Sequence, residues 1–114
     1  MKKIIIFLAI CVFISQAAYA HPPSDVKITY DPKTKILTAV IAHNTVDVKK
    51  HFISKVSVGL NGREIISQAI SQQDSNIGQK VSYLIPDAKA GDKLSVEGHC
   101  SISGKLEKEI VVPK

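Results

Sequence analysis

The chain contains no tryptophan, a single methionine at Met1 and only two cysteines in 114 residues. Cys11 lies inside an apolar N-terminal run, so a chain processed after that run keeps Cys100 alone. A solitary thiol has no partner within the chain, which excludes an internal disulfide framework. No methionine or histidine follows Cys100, so the usual ligand loop of a blue-copper electron carrier is missing. Aromatic residues make up 5% of the chain and its basic residues form no arginine-rich stripe, so it lacks the footprint of a nucleic-acid reader. Internal repeats, low-complexity segments and a convincing amphipathic helix are absent as well.

What the chain does have begins with a leader. Lys2 and Lys3 precede an unbroken apolar stretch from Ile4 to Ile14, and Ala18-Tyr19-Ala20 supplies a small-x-small cleavage pattern. The stretch is short for a membrane span. Leu8-Ala9-Ile10-Cys11 resembles a lipidation box, but Ile10 is bulky just before the cysteine, so cleavage after Ala20 is the expectation. That implies export, periplasmic or secreted, with no membrane association after cleavage. Of 114 residues, the 20 of the leader leave 94 from His21 onward, enough for one domain with a modest core. Loss of Lys2 and Lys3 reduces 15 basic residues to 13 against 10 acidic ones, and the net charge from +5 to +3. Such a mild excess is ordinary solvation, able to steer small anions weakly.

The remainder reads as β-structure. Val26, Ile28 and Tyr30 alternate before the turn at Asp31 to Thr34. Ile36 to His43 is rich in apolar and β-branched residues, as suits a strand buried on much of both faces. Asn44 to Lys50 is a polar loop. Strands follow from Phe52 to Leu60 and from Arg63 to Ile70, joined by Asn61-Gly62, a pair that tolerates the positive φ of a type I′ hairpin turn. Ser71 to Gly78 reads as loop, Val81 to Ile85 as a fifth strand. Leu94, Val96, Gly98 and Cys100 share one face of a sixth, and Leu106 to Val112 forms the last. Seven short strands predict an all-β, seven-stranded, immunoglobulin-like antiparallel β-sandwich, without the disulfide and core tryptophan of antibody domains.

Strand polarity then gathers the chemistry. If successive strands reverse direction, the start of the first, the end of the second, the start of the third and the end of the sixth lie at one pole. Those places hold His21, His43, His51 and Cys100, with His99 beside the thiol. Taken singly, each has a plainer explanation: loop histidines are ordinarily polar surface, and free cysteine is often a small core residue. His99 should face away from Cys100 by alternation. Three imidazoles and a thiolate together suit a first-row transition metal. A closed tetrahedral set would be structural zinc, whereas a set with an open position permits redox chemistry.

The segments His43-Asn44-Thr45, His51-Phe52-Ile53 and Glu97-Gly98-His99-Cys100-Ser101-Ile102-Ser103-Gly104 resemble the iron-binding domain of superoxide reductases (desulfoferrodoxin and neelaredoxin). That family has an immunoglobulin-like sandwich whose iron is held by four equatorial histidines and one axial cysteine. The resemblance implies His21, His43 and His51 as nitrogen ligands, Cys100 as the thiolate and iron as the cofactor. It implies reduction of superoxide to hydrogen peroxide, with an external electron donor restoring ferrous iron. Lys49 and Lys50, which read as a solvated loop face, are the candidates here for attracting the anion.

The chain departs from that pattern in two places. Ser103 stands where the fourth histidine belongs, and no lysine precedes a His21 that begins the processed chain. The free α-amino group of His21 offers a replacement nitrogen in chelation with its own imidazole, an arrangement also suited to a copper-binding or copper-delivery protein. A third reading comes from His43 with the run from His51 to Gly62, a pattern similar to the non-catalytic Z subunit of the thiosulfate-oxidising Sox carrier. It implies a metal-free protein-interaction module and leaves the cysteine segment unexplained.

Overall fold

The computed structural model describes residues 21–114; the expected leader, with Cys11, lies outside the described residues. Seven strands follow one another: β1 (Asp25–Asp31), β2 (Ile36–Ala42), β3 (Ile53–Leu60), β4 (Arg63–Ala69), β5 (Gly78–Leu84), β6 (Lys93–Cys100) and β7 (Lys105–Val111). They form a three-stranded sheet in the order β1-β2-β5 and a four-stranded sheet in the order β4-β3-β6-β7. Every pairing is antiparallel. The expected all-β sandwich of seven antiparallel strands is the fold observed.

Alternation decides which side chains meet between the sheets. In β6 every second residue is buried, through Leu94, Val96, Gly98 and Cys100. Val56 and Val58 of β3 and Leu37, Ala39 and Ile41 of β2 are fully enclosed with them. Each fully buried aliphatic side chain of this size contributes about 1.5–3 kcal/mol by leaving water. β2 is therefore one-sided rather than buried on both faces, since its alternate residue Val40 remains 45% exposed. Its apolar outward residues stand on a face covered by no other element among the described residues.

Turn chemistry sets the registers. Asn61 and Gly62 both take positive φ, 51° and 85°, closing the β3–β4 hairpin. Tyr30 buries its ring at the far end of the core and donates its hydroxyl to the Ile85 carbonyl at 2.7 Å. β5 starts at Gly78, earlier than Val81, because Gly78 already pairs with Ala42. Two pairings, one in each sheet, define the pole that matters for function: Asp25 with Ala42, and Ile53 with Cys100. Gln73 contacts both His43, just after β2, and Ile53, at the start of β3, so the beginnings of β1 and β3 and the ends of β2 and β6 lie together.

Candidate metal centre

His43 follows the last residue of β2 and is fully buried. Its amide donates to the Ile77 carbonyl at 3.0 Å, continuing the β2–β5 contact one residue past the strand. Its imidazole is oriented by Gln73, a second fully buried polar residue. The Gln73 amide nitrogen donates to the carbonyls of His43 and Ser75 at 2.7 and 2.8 Å, which identifies the opposite atom as the oxygen. That oxygen accepts the Ile53 amide at 3.0 Å and lies 2.9 Å from His43 Nδ1. An acceptor at that distance calls for a proton on Nδ1, so a neutral His43 presents its lone pair on Nε2. This is the arrangement by which an outer partner prepares a metal-binding imidazole.

His51 reaches the same place from a turn. The Asp47 carboxylate accepts the Lys49 amide at 3.0 Å, and the Asp47 carbonyl accepts the amides of Lys50 and His51 at 3.2 and 3.0 Å. This Asx-type cap coils residues 47–51 and delivers His51 two residues before β3. His51 Nε2 lies 3.2 Å from Cys100 Sγ. Burial first, then the neighbouring imidazoles of His43 and His21, push the His51 pKa below the ordinary histidine value. Its neutral form, which keeps one N–H and offers the other nitrogen's lone pair to a metal, is favoured.

Cys100 ends β6 as a free, buried thiol. Its amide donates to the Gly104 carbonyl at 3.0 Å, and the Ile102 amide approaches the sulfur at 3.5 Å. His21 completes the cluster from the chain's exposed side. Its ring centroid is 5.0 Å from those of both His43 and His51, which are 4.7 Å from each other. One nitrogen from each of the three rings falls within 4.8 Å of the others. Bonds of about 2.0–2.1 Å to one ion would need the three rings to move inward from this spacing. Cys100 Sγ is not part of this converging group and meets it through His51. The three imidazoles therefore form a possible metal site, with the thiol at its edge.

His43 Nε2 also lies 3.3 Å from the His21 carbonyl oxygen, a contact that joins the His21 segment to the buried ring.

The remaining candidates fall elsewhere. His99 sits on the opposite face of β6 from Cys100, as alternation predicts. Its Nε2 is 2.6 Å from a Glu97 carboxylate oxygen, a charge contact whose angle makes no hydrogen bond. Glu97 also contacts Lys105 at 3.9 Å. Burial and the Glu97 carboxyl hold the nearby Glu107 above the usual carboxylate range. Lys49 and Lys50 are exposed on the turn leading into His51, and Ser103 is exposed in the turn after Cys100. His21 Nδ1 lies 3.1 Å from the Pro22 carbonyl, so chelation through that atom and a terminal amine requires this contact to break. In the sequence Gln73 carries no signal of its role and looks like part of a polar loop. In comparisons with known proteins, the chain matches no family model and no curated protein.

Proposed function

We propose that this protein binds one transition-metal ion through His21, His43 and His51 with Cys100 as thiolate, and that it is an exported, superoxide-reductase-like iron protein. The observation that carries the metal reading is the convergence of three imidazole nitrogens within 4.8 Å beside a thiol 3.2 Å from one of them. The finer reading draws on the sequence resemblance and on the strand order. β3 and β6, which carry His51 and Cys100, pair at the centre of one sheet, as an immunoglobulin-like sandwich requires.

Ferrous iron, when bound, supplies one electron to superoxide, which with two protons becomes hydrogen peroxide. The chain's own contribution is to hold the ligands. Gln73 keeps the His43 proton on Nδ1, and the capped turn at Asp47 presents His51. A thiolate at Cys100 adds a strong, soft donor, while Lys49 and Lys50 draw a small anion toward this pole. Ser103 offers no imidazole where the resembling family has a fourth, so bound iron would have one nitrogen fewer. Turnover would then require an electron donor outside the chain.

The test is metal analysis of the processed protein with absorption and electron paramagnetic resonance spectra, alongside Cys100→Ala. Stoichiometric iron and a thiolate charge-transfer band lost in the variant support the reading. Copper retention that requires a free His21 amine points instead to copper delivery. Failure to hold either metal sinks both, and favours the interaction-module alternative.

A further inference from the structure

The segment that carries His21 has an unusual problem of attachment. The β1–β2 ladder reaches no further than Ser24, whose amide donates to the Ala42 carbonyl at 2.9 Å. The next residues toward His21 are Pro23 and Pro22, neither of which has an amide proton to extend that ladder. His21 is therefore held outside the ladder, by the contact of its carbonyl oxygen with His43 Nε2 at 3.3 Å and by packing. Pro23 is buried, and Pro22 lies against Gly104, the last residue of the turn that follows Cys100.

Gly104 is fitted to this contact in two ways. Its φ of +86° is a conformation that side chains rarely adopt. A Cβ at Gly104 would also stand 2.6 Å from Pro22 Cβ, 3.0 Å from its Cα and 3.2 Å from its nitrogen. Two of those atoms are backbone and the third belongs to a rigid ring, so the neighbour cannot yield by changing rotamer. Gly104 also accepts the Cys100 amide at 3.0 Å, which ties the contact to the thiol end of β6.

We infer that Gly104 is a positioning residue for the metal centre: the Cys100–Gly104 turn is a seat against which Pro22 rests, fixing His21 beside His43 and His51. This rests on the metal-binding reading only for its consequence, since the seating itself is a property of the metal-free protein.

The experiment compares Gly104→Ala with Gly91→Ala. Gly91 shares the positive φ, +89°, but an added Cβ there meets nothing within 4 Å, so it reproduces the backbone strain without the collision. In the metal-free protein, nuclear Overhauser contacts between the His21 ring and the rings of His43 and His51 are the first readout. Titration with Co2+ is the second. Gly104→Ala is expected to lose the ring contacts and to weaken Co2+ binding by roughly 10–100-fold, the usual range for an outer-shell change. Gly91→Ala is expected to keep both. In a His21→Ala background, Gly104→Ala should weaken Co2+ binding no further, because its effect acts through His21. Should Gly104→Ala fail to fold, Pro22→Gly approaches the contact from the other side and is expected to release His21 with β-sheet amide shifts unchanged.

Retention of the ring contacts in Gly104→Ala, or an unaltered His21 in Pro22→Gly, overturns the inference. So does an equal loss of Co2+ affinity with and without His21. A wild-type protein that shows the ring contacts yet binds no Co2+ supports the seating and overturns the metal reading instead.

Discussion

The imidazole of His51 meets the Cys100 thiol at 3.2 Å across the point where β3 begins and β6 ends. Neither strand could bring the pair together alone. Ile53 and Cys100 are register partners, and the coiled turn from Asp47 swings His51 back over that register. The contact links the two kinds of donor, nitrogen and sulfur, on which metal selectivity depends.

Removal of the sulfur should therefore change the kind of metal bound as well as its affinity. Cys100→Ala is expected to abolish any thiolate charge-transfer band while preserving a weaker three-nitrogen site. Calorimetric titration with Fe2+ and Zn2+, beside absorption spectra, checks this. A variant that keeps the wild-type spectrum would remove Cys100 from the ligand set.

Gln73 should matter to both stability and binding. Replacement by leucine leaves the carbonyls of His43 and Ser75 and the Ile53 amide without their partner in a buried setting. Each such group costs about 1–3 kcal/mol, so Gln73→Leu should destabilise the metal-free protein by about 3 kcal/mol or more. Urea denaturation measures the loss. Metal affinity should fall as well, by roughly 10–100-fold, as the His43 ring loses the partner that fixes its proton.

Much of this architecture is readable in the chain. Alternation in Leu94, Val96, Gly98 and Cys100 marks β6, and the Asn61-Gly62 turn marks the hairpin. Strand polarity alone then carries His21, His43 and His51 to the Cys100 end. What escapes such reading is long-range or conformational. Gln73 lies in a polar stretch with no periodicity, and only the fold takes it from an apparent loop to full burial beside His43. The capped turn at Asp47 looks like a solvated loop because its carboxylate acts on its own backbone. Gly104 gives no sign in sequence that its missing side chain is the space Pro22 fills.

The depressed pKa of His51 fixes a direction for pH dependence. In the unfolded chain His51 takes up its proton near the ordinary histidine value, whereas in the folded protein uptake is deferred to lower pH. As pH falls through that ordinary value the unfolded state binds more protons, so folding stability drops. The decline ends below the folded-state pKa, where both states are protonated. The metal-free protein should accordingly unfold at lower urea concentration at about pH 5 than at about pH 7.5. His51→Gln should flatten part of that dependence. An unchanged slope would contradict the burial and imidazole crowding assigned to His51.

His99 offers the opposite test, since it neighbours Cys100 in sequence and faces away from it. His99→Gln removes the contact with Glu97 but touches none of the clustered nitrogens. The pair is partly buried, with side chains 27% and 20% exposed, but His99 Nε2 makes no hydrogen bond there, so stability should change by no more than about 1 kcal/mol and metal affinity not at all. A marked loss of bound metal in His99→Gln would require a different ligand set from the one proposed.

Lys49 and Lys50 separate electrostatic steering from ligand placement. Both are exposed, and the turn is held by Asp47 through backbone amides, so Lys49→Gln with Lys50→Gln should leave the coil and His51 where they are. If these charges draw superoxide toward the pole, the double variant should react more slowly in low salt, as followed by pulse radiolysis. Near 1 M salt, where the screening length shrinks to about 3 Å, the difference from wild type should largely vanish. A deficit that persists at high salt would mean the lysines act at the site itself. Equal rates at every ionic strength would leave them as solvated surface, and the anion's approach would then rest on the metal ion alone.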